Sequence, residues 1–154
     1  MSPTLKKPFK NMELKLNNFS YNEIEVGQEF SFERLLDKKA VMDFANLTGD
    51  YNLLHVDEAY AEKTKFGGAI AHGMLMGSLF SALVGMLCPG QRCLYLSQTL
   101  KFKNPLRVGG AVSVHGRVTD KSEAGRVITI ETLVKDMSGK ILVEGEAKVQ
   151  VQNE

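Results

Sequence analysis

The chain has 154 residues, 44% hydrophobic and 24% charged, with a formal net charge of +1. That size and balance describe one globular domain able to bury roughly two-thirds of the surface its unfolded form exposes. So weak a charge excludes the electrostatic footprint of a nucleic-acid binder, and the longest apolar run, residues 73–88, falls short of the ~20 residues that span a bilayer.

Residues 1–22 are expected to form a basic arm, with Lys6, Lys7, Lys10 and Lys15 against Glu13 alone. It reads as a solvated segment, since it lacks the Arg, the amphipathic pattern and the apolar core of a targeting signal. A single domain is expected over residues 23–152. Its first strand falls within 26–36, where Phe30 and Phe32 alternate with Glu29 and Glu33. Asp37 stands where a helix N-cap should, Val41, Phe44, Ala45 and Thr48 follow at helical spacing, and Gly49 can close the helix. Asp57 is placed to cap a short helix through Thr64.

Residues 66–72, FGGAIAH, then enter the long apolar segment GMLMGSLFSALVGMLC. A helix this apolar is buried on most sides. From residue 94 the pattern changes to four extended stretches, 94–109, 111–122, 126–136 and 140–152, read as an antiparallel meander. One long helix covering an antiparallel sheet is the simplest α+β outcome. The helix has more apolar surface than one sheet can cover, so an isologous dimer is expected.

Cys88 and Cys93 are the only cysteines. Two thiols do not make a secreted disulfide framework, so a reducing, cytoplasmic compartment is the default. They have no zinc-ligand partners in their own stretch, and His55, His72 and His115 are far apart in sequence, so no metal or other cofactor is expected.

The chemistry concentrates in TGDYNLLH, residues 48–55, which puts Asp50, Asn52 and His55 within six residues. A carboxylate, a carboxamide and an imidazole can all hydrogen-bond one water, and two of them can exchange protons with it. Adding water across an activated double bond needs both a base and an acid. The same residues are also ordinary turn chemistry, in which Asp and Asn bond nearby amides. Gly73, entering the apolar helix, would offer an N–H at a helix N-terminus, where a developing oxyanion is stabilised. Ser81, inside that helix, either bonds back to its own turn or braces a carboxylate. His72 and His115 read as pocket-lining and sheet residues, and Met74, Met76 and Met86 as core filler or the wall of an acyl tunnel.

TGDYNLLH followed by FGGAIAHGMLMGSLFSALVG and LYLSQTLKFKNPLRVGG resembles the signature of the MaoC-like hydratases, which include the (R)-specific enoyl-CoA hydratases and hydroxyacyl-thioester dehydratases. The resemblance covers about residues 26–150. It implies the hotdog fold, an antiparallel sheet wrapped around a long central helix, in dimers or assemblies of dimers. It implies that Asp50, Asn52 and His55 are catalytic, that the Gly73 amide receives a thioester carbonyl, and that Ser81 supports the site. The chain departs from the family pattern at Leu53, where proline is usual; the polar members are all present. The expected activity is reversible hydration of a trans-2-enoyl thioester to the (R)-3-hydroxyacyl product. A hotdog thioesterase and a non-catalytic acyl-thioester binding module are the alternatives. The carrier is CoA or an acyl carrier protein, and Lys101, Lys103 and Arg107 are candidates to meet its phosphates.

Overall fold

The computed structural model describes residues 9–153. Four helices and six strands follow one another as β1 (Glu29–Leu36), α1 (Lys38–Thr48), α2 (Leu53–Val56), α3 (Glu58–Glu62), α4 (Gly73–Ala82), β2 (Cys93–Gln98), β3 (Lys101–Phe102), β4 (Gly110–Ser122), β5 (Val127–Asp136) and β6 (Ile141–Val151). All six strands belong to one antiparallel sheet of order β1-β4-β5-β6-β2, with β3 also on β6. The sheet curls around α4, which is the hotdog arrangement and an α+β fold.

The helix boundaries have local causes. The Asp37 carboxylate accepts the Ala40 amide at 2.9 Å and starts α1. Gly49, at φ +79°, ends it in a left-handed conformation that costs glycine nothing. The Asp57 carboxylate caps α3 in the same way, through the Tyr60 amide at 2.9 Å. After Ala82 the backbone of α4 continues into a π-helical turn over Leu83–Leu87. Leu75, Met76, Phe80 and Leu83 pack against Phe32, Val112, Val114, Val134, Leu142 and Val143 from the sheet. Val84 joins a second cluster with Val118, Ile128, Ile130, Ala147 and Val149. One side of the helix stays open: Met74 and Ser81 are exposed.

Two expectations are corrected. The stretch 94–109 is not the first strand of a meander. It divides into β2 and β3, both on β6 at the far edge, and β4 takes β1 as its other neighbour. Pro105 has no N–H to continue a ladder, and the chain leaves the sheet there to cross below α4, where the Leu106 carbonyl accepts the Ala71 amide at 2.8 Å.

Residues 11–22 are docked rather than solvated; residues 1–8 lie outside the described part. The Asn11 side chain accepts the Leu35 amide on β1 at 2.7 Å. Asn17 donates its backbone N–H to Met86 O and its side chain to Leu87 O, both at 2.9 Å. Those carbonyls end a helix and lack intrahelical partners, and Asn17 supplies them. Leu14, Phe19 and Tyr21 pack on the two apolar clusters.

The β5–β6 hairpin rests on one carboxylate. An Asp136 oxygen accepts the Ser138 hydroxyl at 2.7 Å and the Ser138 and Lys140 amides at 2.9 and 3.0 Å. The Ser138 hydroxyl first, and the Lys140 amide next, hold this carboxyl below the ordinary carboxylate range. Its contribution is therefore present above the unfolded-state pKa and lost as pH falls through the lower folded-state value. Asp136→Ala is expected to lower Tm at neutral pH, and the gap to the native chain should close in strong acid. A Tm gap that does not change with pH would refute this.

Candidate active site

The loop after α1 and the short helix α2 form the first wall of the site. Asn52 is the N-cap of α2: its Oδ1 accepts the Leu54 amide at 3.0 Å, while its own N–H donates to Asp50 Oδ1 at 3.1 Å. That cap turns His55, one helical turn on, toward the loop that precedes α4. There His55 Nδ1 lies 2.7 Å from the Ile70 carbonyl oxygen. A carbonyl can only accept, so Nδ1 carries the proton and Nε2 presents a lone pair.

The loop bearing Ile70 is held by charge. Arg107 Nη1 donates to Gly67 O at 2.9 Å and Phe66 O at 3.3 Å, and its Nη2 reaches Glu58 Oε1 at 3.2 Å. The other Glu58 oxygen accepts the Ala69 amide at 3.0 Å. The Ile70 amide closes the circuit on Leu54 O at 3.2 Å. Gly68 is required here: at φ +156°, a Cβ would sit 1.8 Å from the Arg107 guanidinium. Arg107 is thus spent on the protein's own backbone and Glu58.

His72 ends the loop and is the N-cap residue of α4, although its side chain makes no capping bond. It is 2% exposed. Its Nε2 lies 3.1 Å from the Asp50 main-chain oxygen and 3.9 Å from the Asp50 Oδ2. Its ring packs against His55, with centroids 4.0 Å apart and planes inclined by 32°, and against Phe44 at 4.8 Å and 54°. One polar atom of each of Asp50, His55 and His72 falls within 4.8 Å of the others. The grouping has metal-ligand chemistry, but imidazole lone pairs lie in the ring planes. Two rings packed at 4.0 Å and inclined by 32° cannot both aim a nitrogen at one ion without turning.

These groups face a cavity of about 420 Å³, otherwise walled by Phe66, Ile70, Ala71, Gly73, Met74, Met76, Phe102, Lys103, Asn104 and Pro105. Apolar walls with a few convergent polar groups are the usual form of a small-molecule site. Gly73 is the first residue of α4, where amides have no intrahelical acceptor. The Phe102 ring covers it so closely that a Cβ at position 73 would lie 2.8 Å away. A second groove of about 450 Å³ lies on the outer sheet face between Glu29, His115, Arg117, Glu131 and Lys135. Arg117 pairs there with Glu131 at 3.4 Å, and none of the candidate site residues lines the groove.

Asp50, His55 and Gly73 therefore meet at one cavity. Asn52 does not line it, because its side chain is used as the cap. Ser81 does not line it either: it is exposed and two turns further along α4, roughly 12 Å at 1.5 Å per residue. Ser78, not Ser81, bonds back to its own helix, at 2.6 Å on Leu75 O. Lys103 lines the cavity and lies 3.7 Å from Glu144, whereas Lys101 does not line it; both are exposed. The thiols lie apart from the cavity; burial pushes Cys88 up to about 12 and Cys93 up to about 11, so neither offers a thiolate at neutral pH. Sequence reasoning placed His72 in the pocket lining, where the structure has it, but did not foresee its contact with both Asp50 and His55. Its only signal was its place beside Gly73, because the 16 residues between it and His55 form no recognisable spacing.

Residues 20–139 match the model of the MaoC like domain. The (R)-specific enoyl-CoA hydratase of Aeromonas caviae is 39% identical over 132 residues, spanning 86% of this chain and 98% of that protein. The 3-hydroxybutyryl-CoA dehydratase of Methylorubrum extorquens is 34% identical, over 85% of this chain and 83% of its own length. Among solved structures, the R-hydratase PhaJ1 of Pseudomonas aeruginosa superposes with a TM-score of 0.86 at 37% identity, covering 90% of this chain and 89% of that one. With its sheet curled around α4 and Asp50, His55 and Gly73 gathered at one end of that helix, this chain belongs to the MaoC-like family.

Proposed function

We propose that the chain catalyses (R)-specific hydration of trans-2-enoyl-CoA to (R)-3-hydroxyacyl-CoA, and the reverse dehydration. The observation that carries this reading is the pairing, across one apolar cavity, of a carboxylate and a bare imidazole nitrogen with an amide at a helix N-terminus. The relatives named above as enoyl-CoA hydratase and hydroxybutyryl-CoA dehydratase support the same reaction class.

In the forward direction the Gly73 N–H, aided by the positive end of α4, polarises the thioester carbonyl. The His55 Nε2 lone pair takes a proton from a water held also by Asp50, whose Oδ1 is already bonded to the Asn52 amide. The water oxygen bonds to C3 and the π electrons move to the enolate oxygen facing Gly73. The imidazolium, its Nδ1–H still on Ile70 O, then returns the proton to C2. Asn52 contributes by setting the start of α2, and so the position of His55. Lys103 supplies positive charge at the cavity for the phosphates of a CoA or carrier-protein substrate.

The assembly proposed is a homodimer, working in the cytoplasm. β2 is an edge strand with Leu94 and Leu96 exposed at 44% and 52%, and α4 leaves Met74 uncovered at the cavity rim and Ser81 uncovered two turns further on. A second copy covering that face would bury them and would bring its own Ser81 toward the site. Among the described residues, no helix is long and apolar enough to cross a membrane.

Asp50→Asn and His55→Ala are each expected to lower crotonyl-CoA hydration by ~10²–10⁴-fold with folding intact. Chiral analysis of the product should give the (R) enantiomer. Near-native rates in both variants would refute the acid–base assignment, and release of free thiol would identify a thioesterase instead. Asn52→Ala should cost about 1 kcal/mol in urea unfolding, the usual worth of a cap, and lower the rate as well. Leu96→Lys should convert a dimer to monomer in light scattering and remove activity; a native chain that is monomeric and fully active would exclude the partner-assisted site.

A further inference from the structure

His72 touches both members of the acid–base pair and has no role in the chemistry described above. We propose that it is a positioning residue for that pair, bracing Asp50 through its main chain and His55 through the face of its ring. The kinetic part of this inference rests on the hydratase reading; the structural part does not.

The bond direction is fixed by chemistry. The Asp50 main-chain oxygen only accepts, so His72 Nε2, 3.1 Å away, carries the ring proton and donates it. The donor goes to the backbone and not to the carboxylate, whose Oδ2 is 3.9 Å off. Asp50 is thereby located without spending the oxygen that a water needs. The other restraints on this residue come from its own stretch of chain: a left-handed glycine precedes it, its amide reaches Thr48 Oγ1 at 3.3 Å, and its Oδ1 accepts the Asn52 amide at 3.1 Å, so His72 is its one tie to a distant segment.

The ring also limits His55. An imidazole can rotate about its bond to Cβ, and the Ile70 carbonyl restrains one edge. The His72 ring, 4.0 Å away, blocks the face. Together they leave Nε2 a single direction.

Two further observations separate this role from plain packing. His72 occupies the N-cap position of α4 without making a capping bond, so the helix does not need its side chain there. Its Nδ1 is buried without a hydrogen-bond partner, the only such side-chain atom among the described residues. An apolar ring would fill the space with no orphaned atom, so a histidine here carries a polar cost that only the Nε2–H repays.

The test uses the full chain with two substitutions. His72→Phe keeps a flat ring and removes the donor, while His72→Gln keeps a donor at similar reach and removes the ring. His72→Phe is expected to keep its Tm and KM but lose ~10²-fold in kcat on crotonyl-CoA, the scale of a small misplacement of reacting groups. Amide hydrogen exchange over residues 50–55 should quicken by about ten-fold, reporting a loosened loop. His72→Gln should recover about ten-fold of the lost kcat and the exchange protection, splitting the donor's share from the ring's.

Native kcat and native protection in His72→Phe would overturn the proposal. So would losses in both variants that simply follow a fall in Tm. Independently of any variant, nitrogen-15 spectra of the native chain should show His72 protonated at Nε2 and bare at Nδ1; the opposite tautomer would also overturn it. These spectra and the exchange data stand even if crotonyl-CoA is not turned over, so failure of the hydratase reading is distinguishable from failure of this one.

Discussion

The hydrogen bond from His55 Nδ1 to the Ile70 carbonyl is the constraint on which the site depends. It joins α2 to the loop that launches α4, and so ties the proposed base to the proposed oxyanion donor. It also decides a chemical question: with the proton of the neutral ring held on Nδ1, the lone pair is left on Nε2. The charge work behind it is done at a distance. Arg107 and Glu58 clamp the backbone from Phe66 to Ala69, and Ile70 is delivered at the end of that clamp. A cation that looks available for a substrate phosphate is thus internal scaffolding.

The fold supplies what the loops cannot, a rigid axis. α4 is held along its length by sheet side chains on one side, and at its C-terminal end by Asn17 from the N-terminal segment. Its N-terminus therefore has a fixed place and direction, which an oxyanion donor requires. The site is assembled where three independent restraints converge: the capped helix α2, the clamped loop and the start of α4. Among the buried side-chain polar atoms of the described residues, only His72 Nδ1 is without a partner.

The same economy explains the surface. An apolar helix wrapped by a single sheet cannot be covered all round: its uncovered side carries Met74 and Ser81, and the edge strand β2 leaves two leucines exposed. Ser81 does not line the cavity of its own chain, and only the dimer proposed above would give it a chemical use. The cavity rim, with Met74 and Phe102 each about half exposed, lies on this same side.

Much was legible in the sequence because much is local. Capping by Asp37 and Asp57, the left-handed Gly49, the apolar segment from Gly73 and the β5–β6 turn all follow from residues within a few positions of one another. So did the candidate trio, since TGDYNLLH is contiguous. What tertiary structure alone decided is how the trio is divided. Asn52 became a cap, His72 entered from 17 residues away, and the two imidazoles were assigned their tautomers by distant main-chain oxygens. Strand order was equally out of reach, because β2 and β4 present similar alternation and only the crossing at Pro105 sends one to each side of the sheet. Propensity and capping act over one turn of chain, whereas hydrogen-bond direction and strand partnership depend on what folding brings alongside.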